Sequence, residues 1–297
     1  MPPPLTIGVF DSGFGGLTVL RALLPLFPDA HFIYLGDTAR LPYGSKSRET
    51  IARYAVSSAR FLLDRGADLL VIACNTATAL ALDDIRTAAD PIPVIGVIEP
   101  GAEAALSIFP QRSASSPSAT RAPQVLVLAT AATVQSRAYS HALADLGLPA
   151  IEKACPLLVP LVEEGWIDHH VTREVVRIYL AEALAGQPSL HTLLLGCTHY
   201  PLLRPIFEQT LASLNRPLRL IDSAQATAHT VATHLQALTA SIEVPNAPHR
   251  LAPPSTDLPT SPHCTFFATD SVEKFAELGS HFLGQPLPRV NLIDLGG

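Results

Sequence analysis

Lysine stands at only three positions, Lys46, Lys153 and Lys274, and methionine and tryptophan occur once each in 297 residues. Basic residues are in deficit: 20 Lys and Arg against 26 Asp and Glu leave a formal charge of −6, which offers no footprint for nucleic acid. No apolar run reaches membrane-spanning length, and there is no basic amphipathic helix. The opening Met1-Pro-Pro-Pro-Leu-Thr-Ile7 enters a strand-like segment directly, without a basic n-region or an apolar signal core. A cytoplasmic location is therefore expected. The cysteines are Cys74, Cys155, Cys197 and Cys264. They form no CxxC pair and have no zinc-ligand spacing, which argues for reduced thiols and against a metal. None of the three lysines falls in a strand-end loop suited to a Schiff base, so an electron-sink cofactor is not expected either.

What the chain does have is apolar mass. Hydrophobic residues make up 48% and charged residues 15%, enough to bury two cores in a chain long enough for two domains. Two stretches resemble one another: Leu69-Leu-Val-Ile-Ala-Cys74-Asn-Thr-Ala77 and Leu193-Leu-Leu-Gly-Cys197-Thr-His-Tyr-Pro201. Each is a continuous apolar run followed by a small residue, a cysteine and hydrogen-bonding side chains. Such a run reads as a parallel strand buried on both faces. The cysteine then falls at the strand's C-terminal end, where ligands collect in open α/β sheets.

The rest of the chain repeats this plan. A strand at Thr6–Phe10 turns through Asp11-Ser-Gly-Phe-Gly-Gly16 into a helix over 17–26. A phosphate-cradle reading of that turn is weak: it has neither the dinucleotide fingerprint nor a P-loop ending, and Asp11 would repel a phosphate. Further strands are predicted at His31–Gly36 and Pro91–Ile98, and helices over 50–65 and 77–89. A second unit opens with the strand Val125–Ala129 and a helix through about Leu146, then a helix over 172–185 before the Cys197 strand. Leu218–Ile221 is a last strand of this unit, followed by a helix over 224–238. Residues 111–123 and 241–264 read as loops or insertions, and a strand near Thr265–Asp270 and a helix over 273–283 close the chain. The tail packs most simply back onto the first unit. The expected fold is therefore α/β, with two pseudo-symmetric domains of parallel sheets flanked by helices and the active site at their interface. The first domain is 1–98 plus 223–297, the second 99–222.

A helix N-terminus favours thiolate, so both Cys74 and Cys197 are expected to carry lowered pKa values. One such thiol suggests a nucleophile. Two, placed quasi-symmetrically, suggest inversion of a carbon centre, one removing a proton from one face and the other delivering a proton to the opposite face. Ser12, Asn75, Thr76, Thr130, Thr133 and Thr198 occupy strand-end turns and could hold a substrate carboxylate. Asp11, Glu163 and His199 could orient an ammonium group or tune the thiols. The plainer readings make Cys155 and Cys264 core fillers, Asp37 and Asp222 helix caps, Glu163 a solvated helix-end acid, and Tyr43-Gly44 a turn after Pro42.

At these residues the chain resembles the glutamate racemases of the cofactor-independent aspartate/glutamate racemase superfamily. The motifs, in order, are Ile7-Gly-Val-Phe-Asp11-Ser-Gly-Phe-Gly-Gly16, Gly36-Asp-Thr-Ala-Arg-Leu-Pro42-Tyr-Gly44, Ala73-Cys74-Asn-Thr-Ala77, Val97-Ile-Glu-Pro-Gly101, Val159-Pro-Leu-Val-Glu163-Glu-Gly165 and Gly196-Cys197-Thr-His-Tyr-Pro201. The resemblance implies interconversion of L- and D-glutamate for peptidoglycan synthesis. Cys74 would serve the D-isomer's α-proton and Cys197 the L-isomer's, assisted by Asp11, Glu163 and His199. It also implies substrate contacts at Asp11, Ser12, Pro42, Tyr43, Gly44, Asn75, Thr76, Thr198 and His199. The paired Ala131-Ala132 depart from the family's usual turn, while Thr130 and Thr133 are kept. The chain lacks the N-terminal extension of members activated by a peptidoglycan precursor, so that regulation is not expected. Partners are then a small-molecule substrate (glutamate), no nucleic acid and no membrane, with a homodimer compatible with the chain. Alternatives left open are an aspartate racemase or another superfamily isomerase, a single-cysteine hydrolase, and a non-catalytic protein that binds DNA gyrase.

Overall fold

The computed structural model describes residues 4–108, 124–241 and 263–296. The first half of the chain alternates strand and helix. It contains β1 (Thr6–Asp11), α1 (Leu17–Leu23), β2 (His31–Gly36), α2 (Arg48–Leu63), β3 (Leu69–Ile72), α3 (Asn75–Ala89), β4 (Val94–Gly96) and α4 (Ile98–Ile108). The second half begins with β5 (Gln124–Ala129), α5 (Ala131–Ser136), α6 (Ala138–Asp145), β6 (Ala150–Ala154), α7 (Leu158–Glu163) and α8 (His170–Leu184). It continues with β7 (Leu190–Gly196), α9 (Arg204–Ser213), β8 (Arg219–Asp222) and α10 (Ser223–Ser241). After the undescribed stretch come β9 (Cys264–Ala268), α11 (Val272–Leu283) and β10 (Val290–Leu292).

Every strand pairing is parallel. One sheet runs β10-β9-β2-β1-β3-β4 and the other β6-β5-β7-β8. The stretch β2-β1-β3-β4 thus has the same order as β6-β5-β7-β8, the structural counterpart of the sequence repeat. In each sheet the chain leaves the first strand toward one side and later returns to its other side. The crevice between β1 and β3, and between β5 and β7, is therefore a topological switch point, where open parallel sheets bind ligands at the strands' C-terminal ends.

Alternating side chains account for the layers. Ile7 and Val9 of β1 join one apolar cluster while Phe10 faces another. Leu126 and Leu128 of β5 join that first cluster, and Val125, Val127 and Ala129 a third. One core therefore runs continuously between the two sheets, and α10 packs on both α1 and α4 across that boundary.

Several elements differ from expectation. The predicted strand through Ile98 stops at Gly96, and Ile98 opens α4 instead. Pro100 is tolerated there because the first helical turn has no need of its N–H. The single helix expected after β5 is two, since Arg137 between α5 and α6 adopts a left-handed φ of 57°. Short α7 and β10 carry too little periodicity to be read. The loops expected at 111–123, and at 241–264 except for Ser241, His263 and Cys264, lie outside the described residues. No described helix is long and apolar enough to cross a membrane.

Candidate active site

The first wall is built at the ends of β1 and β3. Asp11 ends β1 fully buried, and its Oδ2 accepts the Gly13 N–H at 2.9 Å. Ser12 follows, with its hydroxyl 3.5 Å from the Sγ of Cys74. Cys74 caps α3, its sulfur accepting the Ala77 N–H at 3.4 Å. A thiol there is held by the same unsatisfied N–H groups that an Asp or Ser cap would use. Asp37, expected as a helix cap, makes no capping bond. Its carboxylate instead collects Arg40 Nε at 2.7 Å, the Tyr43 hydroxyl at 2.5 Å and the Thr269 hydroxyl at 3.0 Å. It thereby anchors the Pro42-Tyr43-Gly44 segment that walls one side of the cleft. Asp222 does cap, accepting the Ala224 N–H of α10 at 2.8 Å.

The second wall comes from β5, β7 and α7. Thr130 caps α5 through the Thr133 N–H at 3.4 Å. Cys197 follows β7 and leads into a short 3-10 turn, Tyr200–Leu203, rather than directly into an α-helix. The expected helix N-terminus is therefore absent at this thiol. His199 presents Nδ1 to the Cys197 sulfur at 3.9 Å and Nε2 to Glu163 Oε1 at 3.0 Å. Glu163 is thus partnered, not a solvated acid.

The walls meet through hydroxyls. Thr76 Oγ1 of α3 lies 3.1 Å from Thr130 Oγ1 and 3.3 Å from Thr133 Oγ1. Thr18 of α1 donates to the Thr198 carbonyl at 3.3 Å. Gly15 permits this approach, since a Cβ there would collide with Thr198 Oγ1 and the His199 ring. Between the walls lies a cavity of about 430 Å³ lined by both Cys74 and Cys197. Ser12, Pro42, Tyr43, Gly44, Asn75, Thr76, Thr130, Glu163, Thr198 and His199 also line it. Asp11 and Thr133 are fully buried behind that surface. A wider groove of about 620 Å³ beside α2 holds neither sulfur.

Cys155, Lys46 and Gln135 are among the lining residues that the sequence reading did not place in the site. Cys155, read as a core filler, is buried but faces the cleft, as do Lys46 and Gln135. Cys155 and Gln135 follow β6 and β5 on the strand-end side, the one signal that could have found them. Lys46 sits just after the Tyr43–Ser45 turn, where no strand ends.

Electrostatics correct one expectation. Burial, then the Asp11 carboxylate, push the Cys74 thiol up to about 12, against the pull of Ser12 and the Ala77 N–H. The helix N-terminus is the smaller effect. Burial also raises the Asp11 pKa, with His199 opposing it. For His199, burial acts downward, but hydrogen bonds to Cys197 and Glu163 prevail and hold it up at about 10. Its imidazolium therefore persists at neutral pH beside the Cys197 sulfur. No group of three or more His, Cys, Asp or Glu able to hold a metal occurs among the described residues.

The family profile of Asp/Glu/hydantoin racemase matches residues 16–231. The chain belongs to the Asp/Glu/hydantoin racemase family. Within it, the chain is 49% identical to the glutamate racemase of Koribacter versatilis, with 98% of each chain covered. Among solved structures, the glutamate racemase of Francisella tularensis in complex with D-glutamate superposes with a TM-score of 0.80 at 31% identity, covering 98% of each chain. That of Thermus thermophilus in complex with beta-chloro-D-alanine gives 0.77 at 38%, covering 99% of each. These racemases share the two-sheet architecture described above, and the chain is accordingly an amino-acid isomerase.

Proposed function

We propose that this chain interconverts L- and D-glutamate by direct proton transfer at Cα, Cys74 serving one face and Cys197 the other. The observation that carries the reading is that the two sulfurs, borne by different sheets, line one cleft. The domain division we infer is 1–98 plus 223–297 and 99–222, which puts the cleft between domains.

In the forward direction, Cys197 as thiolate takes the α-proton of L-glutamate. The C–H bonding pair stays on the substrate and spreads into the α-carboxylate. Cys74, held as a thiol by burial and Asp11, delivers its proton to the opposite face and gives D-glutamate. The reverse reaction starts with Cys74 ionised, a state that the substrate's ammonium charge favours. Ser12, Asn75, Thr76 and Thr198 supply fixed donors where negative charge develops on the carboxylate. His199, kept protonated by Glu163, stabilises the Cys197 thiolate. The D-glutamate formed would enter peptidoglycan synthesis, so the reading includes a cytoplasmic location. A homodimer is compatible with the chain, and sedimentation of the purified chain checks its assembly.

The test is incubation with L- or D-glutamate in deuterated water without pyridoxal phosphate, following optical rotation and α-proton exchange. Cys74→Ala and Cys197→Ala are each expected to cut racemisation by at least about a thousandfold, the scale of a lost general acid or base. Near-parent rates in either variant defeat the two-base reading. A parallel run with aspartate separates the two substrates.

A further inference from the structure

Tyr139 belongs to none of the motifs that align the chain with its family. It lies on α6 in the second half, with its ring fully buried. Its hydroxyl donates to Oδ1 of Asn75 at 2.7 Å. Asn75 opens α3 in the first half and lines the cleft. A single hydrogen bond therefore joins the two halves directly behind a cleft-lining side chain.

The other end of that amide is informative. Asn75 is 3% exposed, and its Nδ2 has no partner among the described residues. Leaving a buried N–H without an acceptor costs stability, and such groups in folded proteins call for an explanation. Oδ1 and Nδ2 are nearly alike in shape, so packing alone scarcely chooses between the two orientations of the amide. The phenol breaks that tie, because its O–H has Oδ1 as its acceptor in this orientation, and a reversed amide would turn an N–H toward that O–H instead.

We propose that Tyr139 is a positioning residue: by engaging Oδ1 it fixes the Asn75 amide with Nδ2 as the free donor beside the cleft, for a substrate carboxylate oxygen. This rests on the reading of the cleft as a glutamate site. A rotated amide would offer the carboxylate an oxygen and repel it. Two features hold the phenol in place. A Cβ on Gly196 would fall 2.9 Å from Tyr139 Cε2, so the ring lies flush on the residue before Cys197. Full burial seats the phenol among core side chains and keeps its proton on.

Tyr139→Phe removes one oxygen and keeps the ring. We expect kcat/KM for both enantiomers to fall roughly tenfold, the scale of a hydrogen bond to a charged group, with a drop of a few degrees in the ligand-free Tm because Oδ1 of Asn75 loses its donor. In an Asn75→Ala background the same substitution should lower kcat/KM by less than about twofold, since coupled residues do not act additively. The rise in Tm produced by saturating D-glutamate should shrink in Tyr139→Phe and be equal in Asn75→Ala and the double variant. Equal losses in both backgrounds would mean a purely structural role and overturn the proposal, as would parent-like kinetics of Tyr139→Phe. If Asn75→Ala itself keeps the parent kcat/KM, Asn75 is no substrate contact and the proposal falls, while the two-cysteine reading, tested by its own variants, stands apart.

Discussion

The Nε2 of His199 lies 3.0 Å from Oε1 of Glu163, while Nδ1 of the same ring faces the Cys197 sulfur at 3.9 Å. Acid, imidazole and thiol thus form a line, and the imidazole is held protonated up to about pH 10. Glu163→Gln removes one of the groups opposing desolvation of the ring. The alkaline limb of the kcat/KM profile should then move to lower pH, and kcat at neutral pH should fall about tenfold or more. An unmoved limb would show that Glu163 does not act through His199.

The same shift bears on stability. A histidine whose folded pKa exceeds its unfolded value of 6.5 contributes stability that is fully present below about pH 6.5 and is lost as pH rises through about 10. Urea midpoints of the parent should decline across that window, and the decline should be shallower in His199→Asn. Parallel curves for the two proteins would count against a raised His199.

Cys74 and Asp11 make the opposite kind of pair, since the carboxylate disfavours the thiolate. Asp11→Asn should therefore speed alkylation of Cys74 by iodoacetamide at mildly alkaline pH, by severalfold, because thiolate is the reactive form. Mass spectrometry of the Cys74 peptide gives the rate. An unchanged rate would mean that burial alone sets this thiol.

The environment of Cys74 marks where sequence reasoning reached its limit. Continuous apolar runs ending in Cys74 and Cys197 were enough to place both sulfurs at strand ends, and the repeated order of segments was enough to pair the two halves. The helix N-terminus at Cys74 was legible too. Its reversal was not, because the Asp11 carboxylate acts across the β1–β3 crevice and full burial is a property of the assembled sheets. Asp37 could be read only as a local cap, since its partner Thr269 lies 232 positions away. Cys155 follows the end of β6, yet beyond that position nothing in its flanking residues separates a cleft-facing thiol from a core one. Pro100 and Gly101 fall in the first four residues of α4, where they break nothing.

Charge in the cleft supports a further expectation. Lys46 is the one Lys or Arg among the lining residues. Glutamate bears two carboxylates against one ammonium, so a cation on the wall should draw it in. Lys46→Met should raise KM severalfold and weaken the dependence of KM on ionic strength, since screening has less to act on. Identical salt dependence in the variant and the parent would remove Lys46 from substrate capture.

Gly15 tests the closeness of the two halves. It lies in the β1–α1 turn, and a Cβ there would collide with Thr198 Oγ1 and the His199 ring. Thr198 and His199 flank the cleft immediately after Cys197, and the Thr18 hydroxyl already ties α1 to the Thr198 carbonyl. One methyl group must therefore push the Cys197 loop away from Ser12 and Cys74, and displacements near 1 Å at reacting atoms cost about a hundredfold in rate. Gly15→Ala should lose activity on that scale in both directions. It should lose less in Tm than a buried large-to-small change would, because the strain is confined to one turn. If the variant folds and turns over glutamate near the parent rate, the Cys197 loop has room to yield, and close apposition at Gly15 is not what sets the distance between the two bases.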